Sequence, residues 1–111
     1  MMLFTITAKH VEIPQAAKDY AEEKASKLPR LYNIINQVEV IVEGKEGLDM
    51  AVEIIARAEH KKIFIVREKG SDVYACIDMA VHKIEQQLRK RKTMEREAKK
   101  HRGRFGKTSA A

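Results

Sequence analysis

Apolar residues near the start of the chain fall on alternate positions. Met2, Phe4, Ile6 and Ala8 share one side of an extended segment, and Thr5, Thr7 and Lys9 share the other. Successive side chains of a strand point to opposite faces, so residues 2–10 predict a first strand with one buried face. Ile13-Pro14 then breaks the run with a proline suited to a first helical turn. Beyond it Ala17, Tyr20, Ala21, Ala25 and Leu28 recur at steps of three and four. That spacing predicts an amphipathic helix ending near Pro29. Its outward face carries Glu22, Glu23, Lys24 and Lys27, with Arg30 just past its end.

Residues 38–43, Val-Glu-Val-Ile-Val-Glu, are β-branched and bounded by Asn36, Gly44 and Gly47, which predicts a second strand and a turn. Residues 49–58 contain good helix formers but are short and lie between two strand candidates, so a strand is the expectation there. Residues 63–67 complete a hairpin with them across a turn at residues 59–62. Gly70-Ser71-Asp72 then supplies a break and an N-cap, and Tyr74, Ile77, Val81, Ile84 and Leu88 follow at steps of three and four. This predicts a second helix, with Asp72 and Asp78 early and Lys83, Arg89, Lys90, Arg91 and Lys92 late, as the helix dipole favours. The apolar stripe ends at Leu88. Past Lys92 the helix either projects from the body or frays, and residues 102–111 read as disordered.

The predicted order is β-α-β-β-β-α. It gives an α+β two-layer sandwich, a largely antiparallel four-stranded sheet with both helices on one face. The first strand lies parallel to the second if a right-handed crossover joins them. Residues 1–93 form the domain and residues 94–111 a basic tail, helix-extending or disordered.

Charge changes this picture from a fold to a surface. From Lys83 to Lys107 there are 11 basic residues against Glu85, Glu95 and Glu97, a surplus of +8 in a chain whose formal net charge is +6, so residues 1–82 carry −2. A near-neutral body with a strongly basic end suits a polyanion, because each Lys or Arg that meets a phosphate releases condensed counterions. The single cysteine, Cys76, excludes an internal disulfide and a cysteine-based zinc cluster, in keeping with the cytoplasm. No stretch reaches the roughly 18 apolar residues of a membrane span.

Catalytic chemistry has little to work with. His10, His60, His82 and His101 fall on a strand end, a turn, a helix and the tail, without the spacing of a helical zinc site. The five glycines never form a phosphate-binding loop, and Cys76 reads as an inert, partly buried thiol. We therefore expect no enzyme, metal, cofactor or small-molecule substrate. What remains is basic: Lys83 and Lys90 share a side of the second helix, Arg89, Arg91 and Lys92 surround its end, and Lys24, Lys27 and Arg30 come from the first. Tyr20, Tyr74, Phe4 and Phe64 read as core, whereas Tyr32 is an aromatic left for base stacking. Cations directed at phosphates position a protein without reading sequence, so the ligand is expected to be RNA selected by shape.

The segments 9–13 (Lys-His-Val-Glu-Ile), 35–38 (Ile-Asn-Gln-Val), 72–78 (Asp-Val-Tyr-Ala-Cys-Ile-Asp) and 83–88 (Lys-Ile-Glu-Gln-Gln-Leu) resemble the bacterial ribosome hibernation-promoting factors, also called ribosome-associated inhibitors, in their short form. The resemblance spans residues 2 to about 93. It implies a layout like that of double-stranded RNA-binding domains, lodged in the small ribosomal subunit between head and body. There the family blocks the messenger and transfer RNA sites during starvation without catalysis. The implied partner is the 30S subunit and its 16S rRNA, with the free protein a monomer. Family RNA-facing bases match Lys24, Lys27, Lys83, Lys90 and Lys92, with Arg91 at a polar or basic position. Gln86 stands where many relatives have arginine, and residues 59–62 replace a glycine-containing turn. The long form has a linker and a second, dimerising domain not found in these 111 residues. A general binder of structured RNA is the alternative reading. A membrane-surface role for residues 89–107 is disfavoured by the lack of an apolar face.

Overall fold

Four segments with an apolar residue at every second position pair into one sheet, and two apolar stripes at helical spacing cover one side of it. The computed structural model describes the backbone of residues 2–108 and the side chains of residues 2–97. Its elements are β1 (Leu3–Lys9), α1 (Gln15–Ala25), α2 (Leu28–Leu31), β2 (Ile35–Gly44), β3 (Met50–Ala58), β4 (Ile63–Gly70) and α3 (Val73–Thr108). The strands lie in the order β1-β2-β3-β4, with β1 parallel to β2 and the other pairs antiparallel. The α+β sandwich read from the sequence is the fold observed, and the ambiguous segment 49–58 is a strand.

Register decides which face is buried. Ile6, Val40, Ile54 and Val66 stand level across all four strands, and Val40 and Ile54 are sealed against the helices. The opposite face is open. Its level rows include Thr7, Ile41, Glu53 and Arg67, and it is crossed by ion pairs from Arg57 to Glu39 (3.1 Å) and Arg67 to Glu43 (3.4 Å). Ala17, Ala21 and Ala25 bring α1 close to the sheet, while Ile77, Ile84 and Leu88 dock α3. Burying the isoleucine and leucine side chains contributes roughly 2 kcal/mol each, and burial of this kind is the dominant favourable term in folding.

The helices depart from expectation in two places. The first ends at Ala25, four residues before Pro29, and residues 28–31 form a separate turn of helix. Ser26 ends α1 by donating its hydroxyl to Glu23 O at 2.7 Å. Pro29 begins α2 instead of ending α1, because a residue without an N–H loses nothing in a first turn. The second departure is α3, which runs through Thr108, so the reading of residues 102–108 as disordered is replaced by helical backbone; residues 109–111 lie outside the described residues. Asp72 starts this helix as expected, its carboxylate accepting Tyr74 N–H at 3.0 Å. At 1.5 Å per residue the 36 residues of α3 extend about 54 Å, well past the sheet.

Candidate nucleic-acid interface

The helix layer is assembled by two tyrosines. Tyr20 of α1 packs edge-on against Tyr74 of α3 (centroids 5.3 Å) and donates its hydroxyl to Asp78 at 2.5 Å. Tyr32, just after α2, donates to Glu95 Oε1 at 2.5 Å. Because the earlier tyrosine meets the earlier turn of α3 and the later one the later turn, the path through α1 and α2 runs in the same direction as α3. Lys24, Lys27 and Arg30 thereby follow α3 along its length.

Each basic residue singled out by sequence has a definite place. Lys24 is half-buried, its ammonium 5.3 Å from the Tyr20 ring centre. Lys27 and Arg30 are exposed, before and within α2. On α3, at about 100° per residue, Lys83 and Lys90 project on the side of the free β4 edge, whereas Arg89 and Lys92 project toward α1. The outward ridge between them carries His82, Gln86 and Thr93, all exposed. The basic residues of α3 thus form two rows flanking a ridge.

Not all of these cations are equally available. Lys83 pairs with Glu68 Oε1 of β4, a carboxylate that is largely buried. Removing a partner from a buried charge is costly, so Lys83 has structural work in addition to any binding role. Arg91 lies over the Phe64 ring at 5.8 Å. Arg89 is 3.7 Å from Glu85 on the next turn, a solvent-exposed contact of little energetic weight. Lys27, Arg30, Lys90 and Lys92 form no ion pair among the described residues.

Tyr32 corrects one expectation. Its ring is buried and packs edge-on against Phe64 (5.9 Å), so it offers no face to a base. It belongs to a cluster in which Lys62 Nζ donates to Tyr32 Oη at 3.1 Å and also to Glu95 Oε2. The sequence signal for this clamp is the step of seven in Val81, Leu88 and Glu95, which carries the core-facing stripe onto an acid. Lys62 and Tyr32 hold the Glu95 carboxyl below its usual 4.5, and Glu95 raises Lys62 above 10.5. A depressed carboxylate stabilises the fold above its unfolded pKa and is lost as pH falls through the folded one. The thermal stability of the parent over Glu95→Gln is therefore expected to persist at neutral pH and to close below about pH 4, as read by melting curves across pH. The raised Lys62 contributes the same stability at neutral pH and loses it only above 10.5.

Among the described residues no cluster of His, Cys, Asp or Glu could hold a metal ion, and no helix is long and apolar enough to cross a membrane. Burial, then the charges of Glu68 and Asp72, raise the pKa of the Cys76 thiol, which disfavours the thiolate a nucleophile requires.

The family described as Sigma 54 modulation protein / S30EA ribosomal protein matches residues 4–103. A ribosome hibernation promotion factor of Staphylococcus aureus (strain COL) is 33% identical over 94 residues, covering 84% of this chain. The chain spans about half that protein's length, 50%. The Thermus thermophilus Protein Y N-terminal domain superposes with a TM-score of 0.70 at 28% identity, over 81% of this chain and 98% of that domain. A ribosomal subunit interface protein from Coxiella burnetii shares the fold, with a TM-score of 0.71 at 24% identity over 83% and 99% of the two chains.

Proposed function

Because the chain belongs to the Sigma 54 modulation protein / S30EA ribosomal protein family, that of the ribosome hibernation-promoting factors, we propose that it is a noncatalytic ribosome-binding factor whose helix layer docks on 16S rRNA of the 30S subunit. In this reading it occupies the decoding region and excludes messenger and transfer RNA during starvation, in the cytoplasm.

The observation that carries the proposal is the common direction of α1, α2 and α3, which sets cations from three helices along one layer. The open sheet face, by contrast, sets Lys9, Arg57, Arg67 and Lys69 among Glu39, Glu43 and Glu53, and two of its acids are already paired. An RNA backbone there meets four bases interleaved with three acids, whereas on the helix side it meets rows of cations. Lys24, Lys27, Arg30, Arg89, Lys90, Arg91 and Lys92 are the proposed phosphate contacts, with Lys83 shared between Glu68 and RNA. Inhibition needs no reacting group, since a rigid domain in the messenger path blocks it by volume alone.

Cosedimentation with purified small subunits tests this. About seven to eight phosphate contacts give an affinity that falls about 10³- to 10⁴-fold between 50 and 200 mM salt. Subunit binding should survive an excess of plain duplex RNA. Displacement by that competitor identifies a general binder of structured RNA, and no binding at low salt removes both readings.

A further inference from the structure

The turn joining β3 to β4 holds two consecutive residues in the left-handed region, His60 (φ 63°) and Lys61 (φ 60°). Lys62 N–H donates across them to Glu59 O at 3.4 Å, and Ala58 N–H donates to Lys62 O at 2.8 Å just outside. Hairpin turns with positive φ at both central positions favour Asn-Gly, Asp-Gly or Gly-Gly, because a Cβ in that region crowds the neighbouring carbonyl. Here neither position has such a residue. Both side chains are exposed, and neither forms a hydrogen bond or ion pair among the described residues, so no internal contact offsets the strain. Strain retained where a smaller residue would relieve it points to a use for the side chains themselves.

The location of the turn says what that use is. Lys62, the next residue, grips Glu95 on α3, and Tyr32 at the end of α2 grips the same carboxylate. The tip therefore stands where α2, with Arg30, and α3, with Arg91 and Lys92, converge. We propose that this tip is a further RNA contact, in which Lys61 meets a backbone phosphate and His60 lies beside it against the sugar edge. A protruding turn can reach the wide, shallow minor groove of A-form RNA, where phosphates and 2′-hydroxyls are displayed. The proposal rests on the RNA-binding reading above.

Two variants separate charge from strain, measured by melting and by binding to purified small subunits. Lys61→Gly relieves the backbone and removes the cation. Its melting temperature should rise by about 4 °C or more, while subunit affinity falls three- to tenfold at low salt and the slope of log K against log salt becomes shallower by about 0.7 to 0.9. Lys61→Gln keeps the backbone strain and removes only the charge, so its melting temperature should stay near the parent's while binding falls as in Lys61→Gly. If the parent binds and both variants bind equally well with an unchanged slope, the tip proposal is overturned and the helix-layer reading stands. If the parent itself fails to bind, both fall together.

Discussion

Replacing Arg89, Lys90 and Lys92 by glutamate is expected to abolish binding to small ribosomal subunits while leaving the fold intact. Each reversal removes two units of charge, which takes the formal net charge of the chain from +6 to 0. The three side chains are exposed on both flanks of α3, and Arg89 has only a 3.7 Å surface contact with Glu85 to lose. Exposed pairs of this kind contribute about 0 to 1 kcal/mol, so the melting temperature should change little. Binding responds differently, because three phosphate contacts become three repulsions: the salt slope should shrink by about 2 to 3 and affinity at low salt should fall by at least about 10³-fold. Lys83 is unchanged in this variant. Its reversal would set an acid beside the largely buried Glu68 carboxylate and confuse folding with binding.

Gly44→Ala is expected to do the reverse, damaging the fold at a site remote from the cations. Gly44 ends β2 against the turn after β1, where His10 has a φ of 57°. A Cβ at position 44 would lie 2.2 Å from the His10 carbonyl oxygen and 3.0 Å from Val11 Cβ. The clash is with backbone, which cannot rotate away as a side-chain tip would. Either the parallel β1–β2 pairing opens at this end or His10 leaves its conformation. Overpacking of this type costs about 3 kcal/mol, and in a domain near 100 residues that lowers the melting temperature by about 12 to 20 °C. Subunit affinity measured well below that temperature should match the parent's, because no proposed RNA contact lies near Gly44.

Much of this architecture was legible in the residues. The alternation in β1, the β-branched run of β2 and the three-and-four spacing from Tyr74 to Leu88 identify elements whose local preference and burial agree, and those elements formed as read. The segment 49–58 illustrates the limit: its composition suits a helix, and only its neighbours on both sides, which need a partner strand, decide the matter. Pro29 misled because a proline just after a helical run reads equally well as an ending or a beginning, and the difference lies in the capping of Ser26.

The candidate site was legible in kind more than in geometry. A surplus of basic residues is visible in any count, but whether two cations share a flank depends on helix phase and on what packs beside them. Phase alone would have separated Lys90 from Arg89. The Glu68 partner of Lys83 comes from a strand 15 residues earlier in the chain, and no local pattern announces it. Tyr32, Lys62 and Glu95 are likewise brought together only by the fold. The positive φ values at His60 and Lys61 follow from closing a tight hairpin, which residues alone mark by a missing glycine.

Directed hydroxyl-radical cleavage of 16S rRNA from a tethered iron chelate tests the central claim most directly. Cys76 is buried, so a chelate attached at Gln86→Cys, on the exposed ridge of α3, reports on the helix layer, and one at Thr5→Cys reports on the open sheet face. The account predicts strong cuts from position 86 confined to the decoding region of the 30S subunit, and weak or absent cuts there from position 5. Cuts from position 5 alone, or from position 86 only at sites outside the messenger path, would contradict it.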